Sequence, residues 1–250
     1  MSRGGSPKRF SFLGVVTWNA ASLKHVNAEV RRARKDVLTK LVKKFQIICL
    51  QEVHGGPEEL AVWFPWLAAR FYLYGSAGVN EATAGTVICL AKSLVKPGDQ
   101  IVERVPVLGR AVRVEVRGED GGMIGWSVHN HGLSAQEASE VARQIRADYD
   151  RANTVTWLGG DWNFLPEGEE DFDPAEAGGS RANVSSRVHE GLFRRSLGNF
   201  LDLGTVEPTH RCIAQGTYAR LDRVYTSLRE WQVVNSVVTA KPTQDVMQLK

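Results

Sequence analysis

Hydrophobic positions recur along this chain with two periods, and the switches between them mark out its elements. Phe12–Trp18 is a short apolar run containing Val15, Val16 and Thr17, and it predicts a strand that ends at Asn19. From Ala28 to Phe45 the apolar residues Val30, Ala33, Val37, Leu41 and Phe45 fall three and four apart among arginines and lysines, the stripe of a one-sided helix. Ile47–Leu50 reads as a buried strand running into Gln51 and Glu52. The order is strand, helix, strand, with a polar residue at the C-terminal end of each strand. In α/β folds that edge is where sites are built.

Further on, Phe71–Tyr74, Thr86–Leu90, Ala111–Val116 and Met123–His129 read as strands divided by Gly, Asn and Pro, a succession that favours antiparallel pairing. Ser134 with Glu137 makes a Ser-x-x-Glu capping box, opening a helix through about Asp150 that turns Ala138, Val141, Ala142, Ile145 and Tyr149 inward. Thr154–Leu158 is a second buried strand and ends in Gly159-Gly160-Asp161. Ser185 or Ser186 is the expected cap of a helix reaching Leu197, Thr217–Tyr225 alternates as a strand does, and Trp231–Thr239 is rich in valine. Glu167–Gly179 is a loop-like insertion. The pattern predicts two half-sheets with helices outside them, an α/β sandwich formed as one domain over residues 11–250 behind a basic tail at 1–10.

Composition narrows the class. With 250 residues, 43% hydrophobic and 24% charged, the chain can bury a large core, which excludes disordered and coiled-coil classes. Its longest apolar runs fall far short of the roughly 20 residues of a membrane span, so a soluble protein without a membrane partner is expected. Cys49, Cys89 and Cys212 are odd in number and far apart, which reads as reduced thiols and an intracellular setting, nuclear or cytoplasmic. Net charge is only +3, yet Lys24 to Lys44 holds eight Lys/Arg against Glu29 and Asp36, while Glu167 to Glu176 holds six acids and no base. Such asymmetry suits a polyanionic partner on one face.

Asn19, Glu52, Asp161 and Asn163 each follow a buried strand. Taken singly, an Asn or Asp there is a turn former. Taken together, lone acids and amides delivered from separate strand ends suit Mg²⁺, which is held by one or two carboxylates and keeps several waters.

The motifs Trp18-Asn19, Leu50-Gln51-Glu52-Val53, Gly160-Asp161-Trp162-Asn163 and Arg220-Leu221-Asp222-Arg223-Val224-Tyr225, in this order, resemble the endonuclease/exonuclease/phosphatase superfamily. Within it the chain looks most like the endonuclease domain of non-LTR retrotransposons. Thr209 supports that branch, preceding Asp222 by thirteen residues, a spacing similar to that of those endonucleases. The resemblance implies a DNase I-like fold, a four-layer α/β sandwich of two packed mixed β-sheets flanked by helices. It also implies Mg²⁺-dependent phosphodiester hydrolysis, with Mn²⁺ able to substitute, and DNA as partner. By the same resemblance Glu52 is the main metal ligand, and Asn19 positions the metal or the phosphate. Asp161 orients or deprotonates the attacking water, and Asn163 donates to a phosphate oxygen. His129 holds the place of a strand-end Tyr or His, with His131 its competitor two residues on. Thr209, Asn163 and Arg220 are the residues expected to meet nucleic acid.

One departure stands out. The family pattern closes with Ser-Asp-His, whereas this chain has Thr243-Gln244-Asp245-Val246. Asp245 fits, but Val246 can neither donate to a phosphoryl oxygen nor exchange a proton. Asp222, whose family counterpart holds that His, loses its partner, with Arg220, Arg223 and His131 as possible replacements. Three readings follow: an impaired nicking endonuclease, a catalytically dead nucleic-acid-binding domain of the same fold, or a phosphatase of phosphoinositides or other small phosphoesters. The last expected strand meets the end of the sequence at Lys250, which suits a truncated copy or the front of a polyprotein carrying a reverse transcriptase.

Overall fold

The computed structural model describes residues 13–79, 84–164, 184–203, 210–212, 217–219 and 221–233. Thr209, Arg220, Asp245, Val246 and the 167–179 insertion lie outside the described residues. The first half of the chain gives β1 (Val15–Asn19), α1 (Ala28–Lys44), β2 (Ile47–Gln51), α2 (Pro57–Trp63), α3 (Pro65–Arg70), β3 (Phe71–Ser76) and β4 (Thr86–Ala91). The second half gives β5 (Gln100–Val107), β6 (Ala111–Gly118), β7 (Gly121–His129), α4 (Ala135–Tyr149), β8 (Thr154–Asp161) and α5 (Val184–Leu197). After these come β9 (Leu201–Asp202), β10 (His210–Cys212), β11 (Thr217–Ala219) and β12 (Asp222–Thr226).

The strands form a four-stranded sheet in the order β1-β2-β4-β3, a six-stranded sheet in the order β5-β6-β7-β8-β12-β9, and a separate β10-β11 ribbon. Both large sheets are mixed. β1 and β2 are parallel, as are β7 and β8, and the other pairings are antiparallel. The parallel pairs are joined through α1 and α4, as a crossover requires. Three apolar clusters separate four layers. Val16, Trp18, Ile48 and Leu50 pack outward with Val37, Leu38 and Leu41 of α1. Ile47, Cys49, Ile88 and Leu90 meet Val112, Val114, Met123, Val155, Trp157 and Val224 between the sheets. Trp126, Leu158, Trp162 and Tyr225 pack outward with Val141, Ile145 and Phe193 of α4 and α5. The fold is therefore the four-layer α/β sandwich expected from the sequence.

Local chemistry explains the boundaries. Asn27 caps α1, its Oδ1 accepting from the N–H groups of Glu29 at 2.8 Å and Val30 at 3.3 Å. Ser134 opens α4 with a complete capping box, Ser134 N–H donating to Glu137 Oε2 at 2.8 Å. The α1 stripe is wider than the sequence pattern suggested, because Arg34, Leu38 and Val42 also turn inward. Several details differ from the expected elements. β8 runs on through Gly159 and Gly160 to Asp161, and the run from Thr217 to Tyr225 divides between β11 in the ribbon and β12 in the large sheet. α5 starts at Val184, so Ser185 and Ser186 lie inside it, and Trp231 sits in a single helical turn, Glu230–Gln232. Cys49 and Cys89 are buried free thiols, and burial pushes Cys49 up to about 12. Among the described residues no helix is long and apolar enough to cross a membrane.

Candidate active site

Side-chain parity decides what reaches the rim between the sheets. In β8, Val155 and Trp157 face the inter-sheet core, so Asp161, on the same parity, faces it too. The same count turns His129 of β7 and Asp222 of β12 inward, with Met123 and Val224 as their core-facing neighbours. Register then sets them in one row, since His129 and Asp222 each lie opposite Asp161 on either side of β8. From the facing sheet comes Asn19, level with Gln51 at the end of the β1–β2 pair.

The two sheets meet here through polar contacts. Asn19 Nδ2 donates to Asp161 Oδ2 at 2.9 Å, and Asn19 Oδ1 accepts from the Ala21 N–H at 3.0 Å. Asp161 Oδ1 accepts from the Asn163 N–H at 3.3 Å. Beneath this pair a buried column crosses the interface, Thr17 Oγ1 donating to Gln51 Oε1 at 3.1 Å and Gln51 Nε2 to Ser127 Oγ at 2.8 Å. Glycine makes the approach possible. A Cβ on Gly159 would stand 2.7 Å from both Cβ and Sγ of Cys49.

Glu52 follows β2 in a left-handed conformation with φ of 50°. For a residue with a Cβ this costs on the order of 1–2 kcal/mol. Its carboxylate, 31% exposed, stands 3.3 Å from His129 Nε2. The other imidazole nitrogen, Nδ1, lies 2.6 Å from Arg110 Nη1. Burial, followed by the positive charges of Arg110, His131 and His54, pushes His129 down to about 3, so the ring is neutral at physiological pH. His131 lies past the strand end, is exposed, and stacks on His129 with ring centroids 6.0 Å apart. Asn163 also has positive φ, 51°, and its Nδ2 is buried with no hydrogen-bond acceptor among the described residues.

Of the residues singled out from sequence, Asn19, Asp161, Asn163, Asp222, Glu52 and His129 are thus gathered at one rim. Thr209, Arg220 and Asp245 lie outside the described residues. Of the replacements considered for Asp222, Arg223 is on the opposite parity and donates to Phe164 O at 2.6 Å and to Tyr225 Oη at 3.3 Å. Sequence reasoning missed Arg110, Arg34, Asn130 and His189. Arg34, buried on the basic helix, donates to Ser22 O at 2.5 Å in the loop between β1 and α1. Asn130 Nδ2 donates to Trp162 O at 2.6 Å, and Asn130 Oδ1 lies 3.1 Å from His189 Nδ1 of α5. Asn130 stood beside a quoted histidine and could have been found there, whereas neither Arg110 nor His189 lies in any recognisable pattern.

A family model described as Endonuclease/Exonuclease/phosphatase family matches residues 16–245. The chain belongs to that family. A search of curated proteins found no match. Solved structures share the family fold at low identity. A β-hairpin deletion mutant of Staphylococcus aureus beta toxin is 15% identical, with a TM-score of 0.59 over 93% of this chain and 94% of that one. The AP endonuclease LMAP from Leishmania major is 14% identical, with a TM-score of 0.60 over 84% and 77%. The endonuclease domain of TRAS1, a telomere-specific non-LTR retrotransposon, is 12% identical, with a TM-score of 0.52 over 84% and 83%.

The donor set suits a hard divalent ion of the kind the family uses. Glu52 offers one partly exposed carboxylate, and no cage of three or more His, Cys, Asp or Glu exists among the described residues. A partly exposed carboxylate is the kind of ligand that holds a hard divalent cation together with waters.

Proposed function

We propose that this family member is a Mg²⁺-dependent DNA endonuclease of the retrotransposon type, which nicks one strand by hydrolysing a phosphodiester and turns over slowly because Val246 stands where the family has a histidine. The observation that supports it best is the Asn19–Asp161 contact across the sheets, 2.9 Å long, beside the Glu52–His129 contact of 3.3 Å. A carboxylate held from two sides and a second carboxylate open to solvent are the two halves of a hydrolytic phosphodiesterase site.

In this reading Asp161, fixed by Asn19 and by the Asn163 N–H, orients the attacking water and takes its proton. Asn163 Nδ2 donates to a non-bridging phosphate oxygen, the acceptor it lacks among the described residues. A buried donor left unpaired costs roughly 1–3 kcal/mol, which phosphate binding recovers. Glu52 would hold the metal, which when bound supplies positive charge where the phosphoryl and leaving oxygens become negative. His129 aims Glu52. Asn19, expected to position the metal or the phosphate, here positions Asp161, because its amide is engaged with Asp161 and Ala21. Asp222 completes the row beside Asp161, and Asp245, Thr209 and Arg220 keep the roles that the family resemblance implies. Water attacks phosphorus in line, one P–O bond breaks, and the departing oxygen takes a proton from solvent, leaving one phosphate and one hydroxyl at the nick.

The test is relaxation of supercoiled plasmid in Mg²⁺ by the wild type, Glu52→Ala and Asp161→Asn. Nicking abolished by both substitutions is expected, and nicking that survives both overturns the reading. A wild type that binds duplex DNA without cutting it supports the non-catalytic binding module instead.

A further inference from the structure

We infer that Arg110 is a positioning residue that locks His129 in its Nε2–H tautomer and thereby keeps the ring proton on the side of Glu52; its purpose, though not its test, rests on the proposed function. A neutral imidazole has one nitrogen that donates and one that accepts, and which is which depends on the partners. A guanidinium has donors only. With Arg110 Nη1 2.6 Å from Nδ1, that nitrogen must accept, so the ring proton sits on Nε2. Nε2 faces Glu52 Oε1 at 3.3 Å, and a carboxylate is an acceptor only. The Arg110 contact dictates the tautomer, and the 3.3 Å approach of Nε2 to a carboxylate agrees with it. The opposite tautomer would set two donors against each other at Nδ1 and a lone pair against an anion at Nε2.

The surrounding backbone holds Arg110 in place. The His129 N–H donates to Arg110 O at 2.7 Å, so the arginine and the histidine it addresses are tied at the main chain as well. Gly109, with φ of 65°, makes the turn before Arg110, and its N–H donates to Ser76 Oγ at 2.7 Å. Gly132 lies beneath the guanidinium, where an added Cβ would stand 3.1 Å from Nη2. His129 is 1% exposed, so water does not compete for either nitrogen. Two functional consequences follow. His129 is not a general base, because one nitrogen is protonated and the other is occupied by Arg110. It is a fixed ring whose protonated edge lies 3.3 Å from one Glu52 oxygen, the place of an outer partner that orients a metal ligand.

The experiment is ¹⁵N–¹H correlation of the histidine rings in the metal-free, uniformly ¹⁵N-labelled protein, with His129 assigned from the His129→Gln spectrum. The wild type is expected to show His129 protonated at Nε2 alone. Arg110→Met is expected to give a mixture of tautomers and a fall of about 10–100-fold in kcat for plasmid nicking, with KM for DNA little changed. Arg110→Lys, which keeps a charged donor, is expected to restore the single tautomer. Protonation at Nδ1 in the wild type overturns the inference, and this outcome needs no variant to fold. So does an Nε2–H ring that persists in Arg110→Met with KM raised, which would make Arg110 a DNA contact. A wild type that never nicks DNA defeats the functional reading alone and leaves the tautomer to be decided by its own spectrum.

Discussion

Asn19 and Asp161 are 142 positions apart in sequence, and the amide of one is hydrogen-bonded to the carboxylate of the other at 2.9 Å. They end strands in different sheets, so the bond exists only where the sheets are docked face to face. Asn19→Ala should lower the nicking rate by about 10–100-fold, because Asp161 then loses the bond that holds its Oδ2. The measurement is plasmid relaxation at saturating DNA. A rate equal to wild type would show that Asp161 is held well enough without it.

Glu52 should be a residue that stability would trade away. Its φ of 50° favours glycine, so Glu52→Gly is expected to abolish nicking while raising stability by roughly 1 kcal/mol. Urea denaturation with activity assayed on the same sample checks both. A variant that loses stability as well would place Glu52 in the structural framework.

Two buried groups contribute to the acid limit of the fold, in overlapping windows. Burial, then positive neighbours, lowers His129 from 6.5 to about 3; the unfolded chain therefore takes up a proton first, and stability is complete above pH 6.5 and declines as pH falls toward 3. Glu115 is lowered from 4.5 to about 2, its burial outweighed by Arg117, Arg151 and Arg113. Arg113 Nη1 is 3.0 Å and Arg151 Nη2 2.8 Å from this carboxylate. That contribution is present above pH 4.5 and is lost as pH falls toward 2, on the order of 1–3 kcal/mol. Stability followed from pH 7 to pH 3 should fall less steeply from 6.5 downward in His129→Gln, and less steeply only below 4.5 in Glu115→Gln.

Gly159→Ala is expected to destabilise the protein by about 1–3 kcal/mol, since the new methyl overlaps Cys49 at 2.7 Å. Cys49→Ala should relieve the contact with Sγ but not the one with Cβ, so the double variant should recover only part of the loss. Full recovery would mean that the sheets can part at this point without cost.

Val246→His should raise nicking above wild type. The comparison is of initial rates at equal protein and Mg²⁺. No gain, with DNA binding intact, would place Val246 away from the reacting phosphate and leave its substitution without catalytic consequence.

Much of this was legible in the sequence because burial and polarity alternate sharply where it matters. Asn19, Glu52 and Asp161 each interrupt an apolar run, and an apolar strand that ends in an acid is hard to misread. The Gly159-Gly160 pair misled, since two glycines ordinarily mark a turn; here the first is in the strand because no side chain fits against Cys49. β5 was invisible for a different reason. It is an edge strand that carries Glu103, Arg104 and Pro106 and is at most half-buried, so it shows no apolar period. Arg110 and His189 act through single tertiary contacts made by chain segments with no local signature, and only coordinates could reveal them.

The Thr17–Gln51–Ser127 column has a consequence for how the layers find their alignment. Valine and isoleucine faces attract one another in almost any offset, whereas Gln51 can satisfy both ends of its amide in one alignment only. Sliding one sheet past the other by a single residue would strand that glutamine in a dry interior and carry Asn19 out of reach of Asp161. Catalytic assembly and correct stacking of the layers are therefore keyed to the same amide, which acts as a detent.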